Sequence, residues 1–207
     1  MTRNSFNPGA LILGAGRSTR MGQPKLLLPW GTTSIVGHLL RQWTAAGALQ
    51  VCVVHSDQDH VLSNELDRLG VSLSCRVANN RPDADMFSSI LCGAASDCWL
   101  PAISHCAIVL GDQPHLRSST LSMLIEQGRR NPEKITQPIA NGHRHHPVLL
   151  PMKMLRSLPK SGARTLREFL KSREVVGVEC DDPGLDLDID RPEDYRRALA
   201  IAGLSRG

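Results

Sequence analysis

Glycines and basic residues alternate in one segment near the start of the chain, directly after a short apolar run. The segment reads Leu11-Ile-Leu-Gly-Ala-Gly-Arg-Ser-Thr-Arg-Met-Gly-Gln-Pro-Lys25. Its glycines, which allow positive φ and close backbone approach, are Gly14, Gly16 and Gly22. Its cations are Arg17, Arg20 and Lys25. Backbone N–H groups in such a turn form an anion-binding concavity, so the segment favours a triphosphate-binding loop over a solvated glycine turn.

The two standard phosphate-loop patterns do not fit this segment. A Walker loop requires Ser or Thr after its lysine, whereas Leu26 follows Lys25. The dinucleotide fingerprint requires a third glycine where Thr19 stands. The loop is therefore neither a P-loop nor a dinucleotide fingerprint.

An acidic residue follows a later apolar run, in the turn Gly111-Asp-Gln-Pro114. Open α/β sheets bind ligands at the carboxyl ends of their strands, where Asp112 is expected. A carboxylate there would bind Mg²⁺ and leave the other positions to water and phosphate. From position alone, Asp112 could equally cap the following helix.

A second acidic cluster lies near the end of the chain, in Leu185-Asp-Leu-Asp-Ile-Asp-Arg-Pro-Glu-Asp-Tyr195. Alternation with apolar residues places Asp186, Asp188 and Asp190 on one side of an extended segment. Such crowding is costly unless a cation or a helix cap absorbs the charge. Asp190 precedes a helix that begins with proline and is predicted to be its N-cap. Asp188 is then the candidate for a second metal contact.

Composition limits the classes of function. The chain has 207 residues, of which 41% are hydrophobic and 3% aromatic, and its net charge is +4. So few aromatics argue against base stacking on single-stranded nucleic acid, and the diffuse charge suits a small polyanion better than nucleic acid. Without a long apolar run or a signal-peptide core, we expect a cytoplasmic protein with no membrane partner. Six cysteines without metal-ligand spacing are interpreted as small buried hydrophobes.

Strands and helices are predicted to alternate along the chain. Strands are predicted at 10–13, 51–55, 71–77, 105–110, 135–139, 147–150 and 175–180. Helices are predicted at 34–46, 58–69, 86–97, 118–130, 164–171 and 192–202, the third being capped by Asp83 or Asp85. This rhythm predicts one α/β domain over residues 1–207, with three layers and a doubly wound, mainly parallel sheet.

The loop spacing through Leu28 and the Gly-Asp-Gln-Pro turn resemble the MobA-like nucleotidyltransferases, and within them the molybdenum cofactor cytidylyltransferase branch. The resemblance implies a nucleotide-diphospho-sugar-transferase-like variant of the Rossmann fold. It also implies transfer of CMP from CTP to the phosphate of a molybdopterin-type cofactor, with release of pyrophosphate. The recipient of the product would be a molybdoenzyme apoprotein.

The same resemblance assigns roles to individual residues. The nucleotide-binding residues would be Leu13, Gly14, Ala15, Gly16, Arg17, Ser18, Arg20, Lys25, Asn80, Ser89 and Gly93. The catalytic residues would be Arg20, Lys25 and Asp112. Asp112 and Asp188 would hold Mg²⁺, and His146 and Arg164 would bind the acceptor.

Some positions depart from the family pattern or leave alternatives open. The resemblance implies that Ala15 favours cytidine over guanosine, because related enzymes that use cytidine have alanine at this position. Asp85 and His145 stand where the family usually has glycine. His143, His145 and His146 could instead hold a transition metal. The acceptor could be another small phosphorylated compound, such as a sugar phosphate or methylerythritol phosphate. A non-catalytic cofactor carrier is the alternative from a different class.

Overall fold

The structure, a computed structural model, describes residues 6–15, 21–81 and 85–204. The strands are β1 (Pro8–Leu13), β2 (Pro29–Trp30), β3 (Thr33–Ser34), β4 (Gln50–His55), β5 (Arg76–Ala78), β6 (His105–Leu110), β7 (Ile135–Ala140), β8 (His143–Arg144), β9 (Val148–Pro151) and β10 (Val175–Glu179). The α-helices are α1 (Ile35–Ala45), α2 (His60–Arg68), α3 (Met86–Ala95), α4 (Ser118–Arg130), α5 (Met152–Ser157), α6 (Leu166–Lys171) and α7 (Pro192–Ile201). Short 3-10 turns lie at Lys25–Leu27, Leu73–Cys75, Leu158–Lys160 and Pro183–Asp186.

One large sheet runs in the order β10-β7-β9-β6-β1-β4-β5, and β8 pairs with β7 at its margin. Neighbouring strands along this order are parallel except at β9, which is antiparallel to both β6 and β7. The short strands β2 and β3 form a separate hairpin. The predicted α/β class with a mainly parallel sheet is confirmed.

Helices cover both faces of this sheet. Ala10 and Ile12 of β1 belong to a core shared with α1, α2, α4 and α7. Leu11, from the same strand, belongs to a second core shared with α3, α5 and α6. β1 is therefore buried on both faces, which explains why its sequence is continuously apolar rather than alternating.

The strand register brings two loops together at the carboxyl edge of the sheet. Leu13 lies opposite Val54 of β4 on one side and Leu110 of β6 on the other. The segments that follow β1 and β6 consequently leave the sheet side by side. A Cβ on Gly111 would lie 2.7 Å from the carbonyl oxygen of Leu13, so this close approach requires glycine.

The strand predicted at 71–77 is wrong for most of its length. Gly70, with a φ of 70°, ends α2, and only Arg76–Ala78 joins the sheet. Ser72 accepts a hydrogen bond from the backbone N–H of Ser74, which stabilises the 3-10 turn before β5. A local serine hydrogen bond thus replaces ladder pairing there.

Side-chain caps explain several helix boundaries. The caps with side-chain hydrogen bonds to the first turn are Ser34, Asp59, Asp85 and Thr165. Asp85 is confirmed as the cap of α3, whereas Asp83 lies outside the described residues. Because Thr165 caps α6, that helix begins at Leu166 rather than at the predicted 164.

Candidate active site

The candidate site begins where β1 and β6 end. Gly14 follows β1 directly and donates its backbone N–H to the carbonyl oxygen of Val54, at 2.8 Å. Ala15 is partly buried and packs against the second core. The remaining residues of the predicted loop, Gly16, Arg17, Ser18 and Arg20, lie outside the described residues. The structure thus places the entry to the loop beside the turn that carries Asp112.

Lys25 extends its ammonium group into a cluster of carboxylates. It opens the 3-10 turn after the loop, and its side chain is only 17% exposed. Its Nζ donates to Oδ1 of Asp190 at 2.6 Å and lies 3.6 Å from Oδ2 of Asp112. The cation from the N-terminal loop and acids from two distant segments therefore meet at one edge of the sheet.

Asp112 is held in an environment that disfavours its charge. Burial, and next the negative charge of Asp188, raises the pKa of Asp112 from 3.8 to about 6. The ammonium of Lys25 acts in the opposite direction but does not cancel them. A carboxylate under this pressure gains from an added cation, as expected for a metal ligand.

Gln113 links the two acidic segments. Its Nε2 donates to Oδ1 of Asp188 at 2.9 Å, and the backbone N–H of Ile189 donates to the carbonyl oxygen of Asp112 at 3.1 Å. The side chain of Gln113 is buried, and its Oε1 has no hydrogen-bond partner in the described part of the chain. Gln113 therefore contacts Asp188 through its amide nitrogen, while no donor within the described ranges reaches its amide oxygen.

These donors fit Mg²⁺ better than a structural transition metal. Among residues 6–15, 21–81 and 85–204, no three His, Cys, Asp or Glu side chains are placed to hold a metal ion. Magnesium usually takes only one or two protein carboxylates and completes its shell with water and substrate phosphates. Asp112 and Asp188 could supply that pair.

Among the described residues, His143, His145 and His146 do not come together as a metal site. Nε2 of His145 lies 3.4 Å from Oδ1 of Asp186, whereas Nδ1 of His146 lies 3.3 Å from the carbonyl oxygen of Ile108. Burial lowers the pKa of His146, and the charge of Asp188 opposes that shift. The charge of Asp188 therefore acts on His146. His143 lies in β8 and is exposed.

The other residues predicted to contact the nucleotide have hydrogen-bond or packing partners elsewhere in the fold. Asn80 exchanges two hydrogen bonds with Asp57, through the backbone N–H and the carboxylate of the latter. The hydroxyl of Ser89 accepts from Asn79 in a buried contact. Gly93 packs α3 against Leu11, where a Cβ would come within 2.3 Å. The nucleotide-binding roles of Asn80, Ser89 and Gly93 stay predictions.

Arg164, predicted to bind the acceptor, is exposed just before α6. Its backbone N–H donates to Oε2 of Glu168 at 2.8 Å. Its role in acceptor binding also stays a prediction.

The predicted capping role of Asp190 is wrong. Arg191 occupies the N-cap position of α7, and Asp194 accepts the backbone N–H groups of Arg191 and Asp190. The side chain of Asp190 instead faces Lys25. Gln113 was also missed, although it directly follows a carboxylate at the carboxyl end of a strand, which was the available signal.

Comparison with known proteins identifies a family and two relatives. The sequence model of the MobA-like NTP transferase domain matches residues 10–178. Molybdenum cofactor cytidylyltransferase of Escherichia coli (strain K12) is 27% identical over 188 residues, covering 89% of this chain and 92% of that protein. A probable molybdenum cofactor guanylyltransferase of Bacillus cereus (strain G9842) is 25% identical over 134 residues, covering 65% of this chain and 62% of that protein.

A solved structure supports the fold. A Mycobacterium tuberculosis H37Rv protein crystallised in complex with manganese superposes with a TM-score of 0.68 at 24% identity, covering 94% of this chain and 98% of that one. Among residues 6–15, 21–81 and 85–204, none of the helices combines the length and the apolar character that a membrane span requires.

Proposed function

We propose that this chain, which belongs to the MobA-like NTP transferase family, transfers CMP from CTP to the phosphate of a molybdopterin-type cofactor. Family membership makes it a nucleotidyltransferase. The observation that carries the proposal is the meeting of Lys25 and Asp112 beside the end of β1, with Asp188 next to them. Nucleotidyl transfer depends mostly on positioning and charge neutralisation, which this cluster can supply without a covalent nucleophile.

The residues divide the work by charge. The ammonium of Lys25 lies beside Asp112, where the metal and the phosphates would bind. Lys25 would therefore neutralise the negative charge that grows on the departing pyrophosphate. Asp112 and Asp188 would hold Mg²⁺, which when bound stabilises negative charge on phosphate oxygens. Gln113 fixes the carboxylate of Asp188 through its amide. Arg20 and the rest of the glycine loop would cradle the β- and γ-phosphates.

The choice of base rests on Ala15 and on the cytidylyltransferase relative, the more extensive of the two matches above. The guanylyltransferase relative makes GTP the competing nucleotide. A single methyl group at position 15 is worth only ~1–3 kcal/mol of discrimination. We therefore expect a preference for CTP rather than complete exclusion of GTP.

A nucleotide panel tests this proposal. The protein is incubated with Mg²⁺, molybdopterin and one of CTP, GTP, ATP or UTP, and both pyrophosphate and the dinucleotide product are quantified. The expected result is product from CTP, with loss of turnover when EDTA removes the metal. A preference for GTP would overturn the base assignment, and turnover with a sugar phosphate but not molybdopterin would overturn the acceptor. Absence of pyrophosphate with every nucleotide would favour the carrier alternative.

A further inference from the structure

Two cysteines that lie far apart in the sequence meet in the second core. Cys52 is in β4 and Cys98 is in the segment between α3 and β6, 46 positions later. Their Sγ atoms are 3.6 Å apart, which is van der Waals contact for two sulfurs. All six cysteines are free thiols.

The segment that carries Cys98 is fixed against β4 by one side chain. Nε2 of Gln50 donates to the carbonyl oxygen of Cys98 at 2.7 Å, and Oε1 of Gln50 accepts the backbone N–H of Leu100 at 2.9 Å. Because Gln50 and Cys52 are both in β4, these bonds hold the backbone of Cys98 next to Cys52. The contact between Cys52 and Cys98 is therefore built into the fold.

The two thiols differ in reactivity and access. Cys52 is fully buried, and its pKa is raised by its contact with Cys98 and by burial. Cys98 is partly exposed, and its pKa is lowered by a hydrogen bond from Cys52 and, further, by one from Ser96. The guanidinium of Arg156, which donates to the carbonyl oxygen of Ser96 at 3.2 Å, also favours the thiolate of Cys98. A partly exposed cysteine whose sulfur contacts that of a buried cysteine is the arrangement of a redox-sensitive pair, and the lowered pKa of Cys98 favours reaction at the exposed member.

We propose that Cys98 is a site of reversible oxidation by peroxide, and that Cys52 resolves it to an intramolecular disulfide. The thiolate of Cys98 attacks hydrogen peroxide, which forms a sulfenic acid and releases hydroxide. The thiol of Cys52 then attacks this sulfur and forms the S–S bond, and water leaves. Two electrons pass from the thiols to one peroxide molecule, and a dithiol reductant reverses the step.

The remaining cysteines lack this combination. Burial raises the pKa of Cys92 and of Cys180, and Cys106 is fully buried with a raised pKa. Cys75 is partly exposed and accepts a hydrogen bond from Gln50 at 3.7 Å, so it is the competitor for Cys98. Oxidation should therefore select one pair.

Thiol counting and peptide mapping test the proposal. The reduced full-length protein is treated with one equivalent of hydrogen peroxide, and thiols are then titrated after denaturation. We expect titratable thiols to fall from six to four, since two of the six cysteines pair. We also expect an intact mass lower by about 2 Da for two lost hydrogens, and a linked peptide pair containing Cys52 and Cys98. Six remaining thiols, or a peptide link in which Cys75 replaces Cys98 as the partner of Cys52, would overturn the proposal.

Variants separate the two roles. In Cys98→Ser, oxidation should leave all five remaining thiols titratable, because the reacting sulfur is gone. In Cys52→Ala, Cys98 should persist as a sulfenic acid that a dimedone probe labels, since no thiol resolves it. Cys180→Ser is the matched control and should still lose two thiols. Disulfide formation that continues in Cys98→Ser would contradict the assignment. Because Cys98 is partly exposed, this variant is expected to fold.

Discussion

Asp112→Asn is expected to stabilise the metal-free protein while abolishing its activity. The pKa of Asp112 is raised from 3.8 to about 6 by burial and by Asp188. Between these two pKa values the folded state binds a proton that the unfolded chain releases. The stability that this group contributes is therefore complete below pH 3.8 and is lost as the pH rises through about 6. At about 1.4 kcal/mol per pKa unit, this rise corresponds to at most about 3 kcal/mol, because 28% of the side chain is exposed and solvent reduces it.

Urea unfolding in EDTA measures this effect. Asparagine cannot ionise, so near pH 8 the variant should unfold at a higher midpoint, by up to about 1.5 M urea for a slope of about 2–3 kcal/mol per M. The difference should disappear as the pH falls toward 4, where the wild-type carboxyl is protonated. Asp97→Asn, which removes a carboxylate from a fully exposed position, should change stability by less than about 0.5 kcal/mol at every pH.

Two outcomes would refute this reasoning. If Asp112→Asn were no more stable than wild type near pH 8 without metal, burial and the charge of Asp188 would not be acting on Asp112 as described. If the variant kept near-normal turnover with Mg²⁺, the carboxylate would have no role in metal binding. Added Mg²⁺ should raise the unfolding midpoint of the wild type and leave that of the variant unchanged.

Further substitutions test other parts of the site and fold. Lys25→Met should lower kcat about 10²–10³-fold and change the nucleotide Kd, measured by calorimetry, far less; equal losses in both would contradict a role in the transition state. Asp190→Ala should lower kcat about tenfold, because it releases the ammonium of Lys25. Asp194→Ala should retain kcat but lower the free energy of unfolding by about 1 kcal/mol, measured by thermal unfolding, because a helix cap is lost. The reverse pattern would restore Asp190 as the cap. Gly93→Ala should lower the free energy of unfolding by about 1–3 kcal/mol, because the added methyl group overpacks against Leu11. Adding Leu11→Val to the same chain should recover part of that stability. Reduced nucleotide affinity at unchanged stability would instead support a binding role for Gly93.

Much of the fold could be predicted because local and tertiary preferences agree. Continuous apolar runs such as 105–110 mark central parallel strands, and polar residues such as Asp59 and Asp85 begin helices where their side chains can accept N–H groups. Asp112 could be placed at the carboxyl edge for the same reason, since it directly follows a buried strand. These features depend only on neighbouring residues.

The features that sequence reasoning missed depend on partners far along the chain. Asp190 satisfies the local rules for a helix cap, but an ammonium 165 positions earlier takes its carboxylate, and Asp194 provides the cap. The contact of Cys52 with Cys98 has no local signal either, because Gln50 brings the two segments together. The strand predicted at 71–77 was wrong for the opposite reason, because a local hydrogen bond from the backbone N–H of Ser74 to the hydroxyl of Ser72 replaces strand pairing.

The ion pair of Lys25 with Asp190 has a consequence for synthesis on the ribosome. A nascent chain that has emerged only as far as residue 178 contains everything that the family model matches, including Lys25 and Asp112. It still lacks Asp190, which accepts from Lys25 at 2.6 Å, and Asp188, whose charge acts on Asp112. If these acids have the roles proposed above, catalytic competence is expected only after residue 190 has been translated, and a product terminated before Asp188 would carry the family signature without its chemistry.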